Sequence, residues 1–170
     1  MSQTKSEDRL SILCGTRRPT LWVTREHQKI DRIACPWLIR RFVDPTAEIL
    51  FAPTGHVMEV AARKQAVAFD IPGAPLTHVG DRCSFDAFLD AFGLDDPGLQ
   101  TLAPIVRGAD TDRHELAPES AGLHAVSMGL SLLYADDHAL LTQGLIVYDA
   151  LYAWANHARG QHHDWRPVEM

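Results

Sequence analysis

The stretch HVGDRCSFD, residues 78–86, combines a histidine, two aspartates, an arginine and a cysteine. His78 and Asp81 are three residues apart in a predicted loop, a spacing that lets both side chains reach one ion. Imidazole and carboxylate groups suit first-row divalent metals such as Mn, Fe and Zn. A third ligand has to come from elsewhere, and the options are Asp110, Glu119, His124 and His138. We expect a metal site on His78, Asp81 and Asp110, unless Asp81 only caps the next helix.

Cys35 and Cys83 are the candidate catalytic groups because each precedes a predicted helix start. Pro36 fits the first turn of a helix, which would place Cys35 at or beside the N-cap. Ser84 is the expected N-cap of the next helix, so Cys83 has a similar position. Unpaired amides and the helix dipole favour a thiolate there. The alternative is that Cys35 is a small buried apolar residue, as most free cysteines are.

Three further aspartates are candidates for supporting roles. Asp31 can cap a helix or pair with Arg32. Asp110 follows an expected helix end at Gly108 and could point back toward the core. Asp149 shares the apolar face of the last predicted helix, where a carboxylate needs a partner. We expect Asp31 and Asp149 to be buried, with Arg32, Arg40 or a bound cation as the partner of Asp149.

The elements that position these residues follow from hydrophobic periodicity and turn signals. Strands are predicted at residues 21–24, 48–53 and 67–71. Helices are predicted from Pro36 onward, over 57–65, 84–93 and 138–158, and around the apolar stripes 99–106 and 123–133, with Pro104 expected to kink or divide its helix. The class is therefore α+β, with a small sheet from the N-terminal half packed on a mostly helical C-terminal half. Residues 1–20 read as a flexible leader, 21–160 as one domain and 161–170 as a loose tail.

Composition excludes several classes of protein. A formal charge of −6 over 170 residues disfavours direct nucleic-acid binding. Three cysteines without a CxxC pair indicate a reducing, cytoplasmic location. No signal peptide and no long apolar run is present, so no membrane association is expected. The chain has no GxGxxG, P-loop, GxSxG or HExxH motif, and we expect no nucleotide cofactor.

Several long strings carry a family resemblance. WVTREHQKIDRIACPWLIRRFVDP, FDIPG, HVGDRCSFDAFL, IVRGAD and YDALYAW occur in this order between residues 22 and 155. Together they resemble the ChrB-type chromate-resistance domain. The positions that match the motifs are Asp31, Arg32, Cys35, His78, Asp81, Arg82, Cys83, Asp110 and Asp149.

The resemblance implies a protein that accompanies chromate efflux and is needed for full chromate resistance. In longer members the domain follows a DNA-binding region and the protein is a chromate-responsive regulator, while some relatives carry a rhodanese-like domain. Only about 20 residues precede the matching stretch here, so we expect the sensing or chemical half without the DNA-reading half. A regulator or an efflux system is the implied partner, and a homodimer is also compatible with the sequence.

Three functional hypotheses follow. Chromate is a tetrahedral oxyanion, and Arg32 and Arg82 could bind it beside the thiols of Cys35 and Cys83. The first hypothesis is thus an oxyanion- or metal-responsive sensing or detoxification protein. The second is a metal-dependent redox enzyme of the Mn or Fe type. The third is a non-catalytic interaction module for a regulator or transporter, and the sequence leaves open whether the protein is an enzyme.

Overall fold

The computed structural model describes residues 2–161, and side chains from residue 6 onward. The predicted loose tail lies outside the described residues, except for Gln161. Residues 2–161 form seven α-helices and one three-stranded sheet. The helices are α1 (Ser2–Cys14), α2 (Ile30–Leu38), α3 (Val57–Lys64), α4 (Ser84–Phe92), α5 (Pro97–Asp110), α6 (Ser120–Leu133) and α7 (Asp137–His157). The strands are β1 (Leu21–Arg25), β2 (Glu48–Ala52) and β3 (Val67–Ala68).

The sheet is parallel, with the strand order β2-β1-β3. Trp22 at the centre pairs with Ile49 on one side and Val67 on the other. Parallel neighbours require crossover connections, and α2 and α3 lie in the two connections of this sheet. All three strands come from the first half of the chain and most helices from the second, so the predicted α+β class is confirmed.

Alternation along β1 divides the core between the two faces of the sheet. Trp22 points toward the helical half, where its ring centre lies 5.6 Å from that of Phe88 and 6.4 Å from that of Phe92. Val23 points to the opposite face and packs with Val57 and Ala61 of α3. The sheet is therefore covered on both faces, and only its strand ends are free to build a site.

The N-terminal part differs from expectation in two places. The segment predicted as a leader contains α1, whose Leu10 is only 5% exposed within the main core. The next helix, α2, begins at Ile30 rather than Pro36. Ile30 and Ile33 are buried, and packing of this early turn outweighs the backbone hydrogen bond that Pro36 removes. A π-helical turn, Ile39–Val43, then follows α2 directly.

Side chains and a glycine cap the ends of helices in the second half. Asp96 and Asp136 cap α5 and α7 by accepting hydrogen bonds from Leu99 N and Ala139 N, at 3.1 and 2.7 Å. The N-cap of α4 is Cys83, so Ser84 is its first helical residue and not its cap. Gly93 ends α4 in the left-handed conformation, with a φ of 62°, as predicted.

Two helices differ from their predicted form. Helix α5 continues through Pro104 and Gly108 to Asp110 without a division. The predicted apolar stripe of α6 is only partly buried: Leu123 is 4% exposed, whereas Leu133 is 77% exposed. The stripe is exposed toward its end because the C-terminal part of α6 lies at the surface. Within residues 2–161, no helix has the length and apolar character needed to cross a membrane.

Candidate metal centre

Four side chains from different parts of the chain meet beyond the carboxyl ends of β1 and β3. The Nε2 atom of His78 lies 3.1 Å from Asp110 Oδ2 and 3.4 Å from both Asp31 Oδ2 and Asp70 Oδ1. Parallel sheets commonly bind ligands at this end of their strands. We refer to Asp31, Asp70, His78 and Asp110 as the aspartate–histidine cluster.

Asp31 lies in the first turn of α2, close behind β1, and is 1% exposed. Its Oδ2 accepts a hydrogen bond from the backbone N–H of Ser84 at the start of α4. Its Oδ1 is buried and has no hydrogen-bond partner among the described residues. Burial raises the pKa of Asp31, and contact with His78 and Ser84 offsets only part of that effect. An unpartnered carboxylate oxygen in the core is costly unless a cation or a proton binds it.

Asp70 follows β3 and is held more completely than Asp31. Its Oδ1 accepts a 2.7 Å hydrogen bond from the Ser84 hydroxyl, and its Oδ2 accepts one of 3.0 Å from Arg25. Arg32 Nε lies 3.5 Å from the same Oδ2. Burial raises the pKa of Asp70, but hydrogen bonds from His78, Ser84 and Arg25 outweigh it, so the net shift is downward. Asp70 is therefore an ionised group with a fixed orientation.

His78 and Asp110 form the more accessible side of the cluster, with side chains 41% and 17% exposed. Contacts with Asp31 and Asp70 raise the pKa of His78 to about 10. Burial and the nearby charges of Asp31 and Asp70 raise the pKa of Asp110 to about 7. At neutral pH His78 thus carries a proton that serves as the cation among these carboxylates.

The donor set suits a divalent metal. One ligand atom each of Asp31, His78 and Asp110 lies within 4.8 Å of the other two. Adjacent ligands at about 2.1 Å from a metal in octahedral geometry are about 3 Å apart. The 3.1 and 3.4 Å separations from His78 Nε2 are close to that value. Two carboxylates and one imidazole suit Mn, Fe or Zn.

Asp81 does not join the cluster, although it was predicted to be a ligand with His78 and Asp110. It lies at the tip of a tight turn in which Val79 and Arg82 exchange backbone hydrogen bonds of 3.1 Å. Its side chain is 91% exposed and lies 3.7 Å from Arg113. The turn directs Asp81 to solvent. The carboxylate that lies beside His78 and Asp110, where Asp81 was predicted, is that of Asp31.

Neither candidate thiol is exposed. Cys35 lies inside α2 and not at its N-cap, and both Cys35 and Cys83 are 0% exposed. Cys83 does have the predicted place before α4 and contacts Asp86 Oδ2 at 3.6 Å through its sulfur. Burial, and then the charge of Asp31, raises the pKa of both thiols. Both are therefore protonated at neutral pH, which disfavours a nucleophilic role.

The two candidate oxyanion-binding arginines already contact carboxylates. Arg32 lies beside Asp70 and donates a 3.0 Å hydrogen bond to the Glu26 carbonyl. Arg82 lies 2.8 Å from Asp90 and 3.6 Å from Asp86. An incoming anion would compete with these carboxylates, so neither arginine forms a ready anion site in this arrangement.

Asp149 is not the buried support that was expected. Its side chain is 43% exposed and accepts two hydrogen bonds from Arg41, of 2.9 and 2.7 Å. Trp37 Nε1 donates a third, of 2.7 Å. The partner is therefore Arg41 and not Arg32 or Arg40, and the Arg41 contact, followed by the Trp37 hydrogen bond, lowers the pKa of Asp149 despite some burial. Asp149 joins the end of α2 to α7, away from the aspartate–histidine cluster.

Asp70, Ser84 and Arg25 were not singled out from the sequence as site residues. Asp70 lies within the string FDIPG, between apolar residues of a predicted strand. A charged residue in such a run indicates either a surface strand or a functional carboxylate. Ser84 was predicted only as a cap, and Arg25 has no local pattern that marks it.

Comparison with known proteins agrees with the motif strings. The model of the family described as "ChrB, C-terminal domain" matches residues 22–155. Protein ChrB of Cupriavidus metallidurans is 41% identical over 132 residues, which cover 77% of this chain and 39% of that protein. The chain thus spans about two fifths of the length of this curated relative. No solved structure matches the chain.

The matched range includes each member of the aspartate–histidine cluster. It also includes every string on which the resemblance was based. The chain therefore belongs to the family of the ChrB C-terminal domain and is a ChrB-type chromate-resistance domain.

Proposed function

We propose that this chromate-resistance domain is metal-responsive, with a divalent transition metal of the Mn, Fe or Zn type bound by Asp31, His78 and Asp110. The observation that carries the proposal concerns Asp31, whose buried Oδ1 has no hydrogen-bond partner in residues 2–161 and whose carboxylate lies beside two other potential ligands, His78 and Asp110. Asp70 has the supporting role, because Ser84 and Arg25 hold its carboxylate in one orientation.

Charge favours a cation over an oxyanion at this position. The three aspartates of the cluster contribute up to three negative charges. Arg25 and Arg32 balance that of Asp70, whereas Asp31 and Asp110 have only His78, and only while it is protonated. A divalent ion can bind the imidazole nitrogen of His78 only when that nitrogen has lost its proton, so the ion would replace the proton as the balancing charge. An oxyanion placed among the same carboxylates would be repelled.

Metal binding would connect three segments of the chain. Asp31 begins α2, His78 lies in the long connection between β3 and α4, and Asp110 ends α5. A bound ion would fix this connection against the two helices, which gives the domain a metal-dependent conformation. The open side near His78 leaves coordination positions that a tetrahedral oxyanion such as chromate could enter as a metal ligand.

The test is the metal content of the untagged protein by inductively coupled plasma mass spectrometry, after incubation with Mn²⁺, Fe²⁺ or Zn²⁺ and dialysis. We expect near-stoichiometric metal at the cluster in the wild type and its loss in Asp31→Asn and His78→Ala. Asp81→Asn is the matched control, since Asp81 lies in the same connection but is 91% exposed. Equal metal content in all four proteins would contradict the proposal.

A redox enzyme is the second candidate, favoured by the partial exposure of His78 and Asp110 next to buried Asp31. An enzyme needs such an opening so that substrate can reach the metal, whereas a purely structural site is closed. The candidate predicts that the protein loaded with Fe²⁺ reduces chromate, with three Fe²⁺ oxidised to Fe³⁺ for each Cr(VI) reduced to Cr(III). Reduction at an equal rate in His78→Ala would contradict it.

A further inference from the structure

We propose a second metal site, for Zn²⁺, formed by Asp112, His114 and His124. The first two residues lie in the connection after α5, and His124 lies on α6. None of the three belongs to the aspartate–histidine cluster, so zinc binding here does not require metal binding there, and only the role argued below for the bound zinc rests on the function proposed above. We refer to it as the two-histidine site.

The three side chains already converge. One ligand atom from each of Asp112, His114 and His124 lies within 4.8 Å of the other two. The two imidazole rings meet edge to face, with their centres 5.2 Å apart. Nδ1 of His124 lies 3.6 Å from Asp112 Oδ1. A small movement of the exposed Asp112 side chain would bring all three within reach of one ion.

Nδ1 of His124 is the ring nitrogen that lies near the possible ion. It is 3.6 Å from Asp112 Oδ1 and also 3.2 Å from the carbonyl oxygen of Ala109 in α5. A metal bound beside Asp112 would therefore take the lone pair of Nδ1, and the ring proton would be on Nε2. The contact between Nδ1 and Ala109 would then be replaced by the bond to the metal.

His114, which is not buried as a whole residue, provides a second observation through one ring atom. Its Nε2 atom is buried and, within residues 2–161, has no hydrogen-bond partner. A buried ring nitrogen without a partner is costly, whether it carries a proton or a lone pair. The edge-to-face ring contact and the ion pair between Asp112 and His124 do not satisfy this nitrogen, because neither contact gives it a hydrogen bond. A bound cation would satisfy it.

The ligand chemistry favours zinc. Two imidazoles and one carboxylate, with a water as the fourth ligand, are a common tetrahedral set for Zn²⁺. The aspartate–histidine cluster has one imidazole among carboxylates and suits a harder ion such as Mn²⁺. The two sites should therefore differ in metal preference, although Asp110 and Asp112 are only two residues apart.

Zinc at this position would act on the first site through the backbone. It would tie the turn His114–Leu116 to α6, immediately after Asp110 ends α5. A fixed connection would restrain the end of α5, which carries the Asp110 carboxylate. The chemical role of the two-histidine site is thus to hold the segment that carries a ligand of its neighbour.

The experiment is a Zn²⁺ titration of the untagged full-length chain, followed by dialysis and elemental analysis. All proteins tested carry His162→Ala and His163→Ala, so that these two histidines of the C-terminal sequence bind no metal. The parent protein with these two changes is compared with three further variants in the same background, His114→Ala, His124→Gln and His78→Ala. His157→Ala at the end of α7 is the matched control for removal of a histidine.

We expect His114→Ala and His124→Gln each to lose one equivalent of zinc, or at least tenfold in zinc affinity, while His157→Ala retains it. This equivalent is distinct from any zinc bound at the aspartate–histidine cluster, which only His78→Ala should remove. Cobalt substitution should give the strong visible absorption of tetrahedral Co²⁺, which the same two variants lose. Unchanged circular dichroism of metal-free His124→Gln shows that the loss is not unfolding. Equal zinc content in His114→Ala, His124→Gln and the parent would overturn the proposal. Failure of the first site alone gives a different result, in which one equivalent remains and depends on His124 but not on His78.

Discussion

The hydroxyl of Ser84 donates a 2.7 Å hydrogen bond to Asp70 Oδ1, while the backbone N–H of the same residue donates to Asp31 Oδ2. One residue at the start of α4 therefore orients two carboxylates of the aspartate–histidine cluster. Ser84 is itself 0% exposed, so water cannot replace it without rearrangement. In the proposed metal site, Ser84 would position the carboxylates and would not itself be a ligand.

Ser84→Ala should weaken divalent-metal binding at the cluster by about tenfold, because loss of a group that orients ligands typically has this effect. The backbone N–H that contacts Asp31 remains in the variant, so the fold should survive with a loss of about 1 kcal/mol. Isothermal titration with Mn²⁺ measures the affinity, and urea unfolding measures the stability.

Ser11→Ala on the exposed face of α1 is the control for that substitution. It should leave the metal affinity unchanged. An equal affinity in Ser84→Ala and Ser11→Ala would show that the Ser84 hydroxyl does not support the site.

Metal affinity at the cluster should increase with pH. The pKa of His78, raised to about 10 by Asp31 and Asp70, and that of Asp110, raised to about 7 by burial, leave protons on both groups at low pH. Because a metal must displace these protons, the affinity should be at least about a hundredfold higher at pH 8 than at pH 6. Titrations in buffers of different ionisation enthalpy should show release of about one to two protons per metal at pH 7.

The metal-free protein should show the opposite trend through the same histidine. A raised pKa for His78 stabilises the fold below about pH 6.5, and this contribution is lost as the pH rises toward 10. In His78→Gln that part of the pH dependence should disappear. A metal affinity that is independent of pH between 6 and 8 would contradict the protonated state assigned to His78.

Asp44 should contribute stability that acid removes. It is 6% exposed and accepts four hydrogen bonds of 2.6 to 2.9 Å from the backbone and hydroxyl groups of Thr20 and Thr46. Burial raises its pKa, but these hydrogen bonds outweigh burial and lower the pKa from 3.8 to about 2. The stabilisation is present above pH 3.8 and is lost as the pH falls through 2. A shift of this size corresponds to about 2 kcal/mol.

Urea unfolding of the wild type and Asp44→Asn at several pH values tests this. The stability difference between them should fall by about 1 kcal/mol from pH 5 to pH 3, and further toward pH 2. Asp95→Asn is the control, because Asp95 is exposed. A stability difference that does not change with pH would show that Asp44 stabilises the fold through the shape of its side chain and not through its charge.

Gly144→Ala should destabilise the protein by about 2 kcal/mol, because a methyl group there overpacks the core. Its added Cβ would lie 2.4 Å from Ile33 Cγ2, where α7 packs on α2. Gly129→Ala in α6 is the matched control, since its Cβ meets nothing within 4 Å. It should stabilise by about 0.5 to 1 kcal/mol through helix propensity. Thermal and urea unfolding measure the change in stability of both variants. Changes of the same sign in Gly144→Ala and Gly129→Ala would contradict the α2–α7 packing.

Local patterns were sufficient where a structure depends on neighbouring residues. The strands near Trp22 and Ile49 follow from β-branched and aromatic runs, and the starts of α5 and α7 follow from capping aspartates. They failed at Pro36, where burial of Ile30 and Ile33 extends the helix upstream of the proline. Packing energy from distant residues is absent from any local window.

The candidate site shows the same division. His78 and Asp110 were predicted as ligands by residue type and are adjacent in space, although 32 positions separate them in the chain. Asp81, three positions from His78, turns to solvent. Closeness in sequence was the wrong criterion, because a tight turn can direct two near neighbours to opposite sides.

The sequence by itself determined the α+β class, most of the elements and membership of the chromate-resistance family, since these depend on local periodicity and on long motif strings. Only the tertiary structure decided that Asp31 and Asp70 join His78 and Asp110, that both candidate thiols are buried, and that Asp149 pairs with Arg41. The physical reason is that each of these relationships depends on how α2, α4, α5 and α7 pack on one another. Burial then sets which charges remain without a partner, and such charges are what a metal ion can bind.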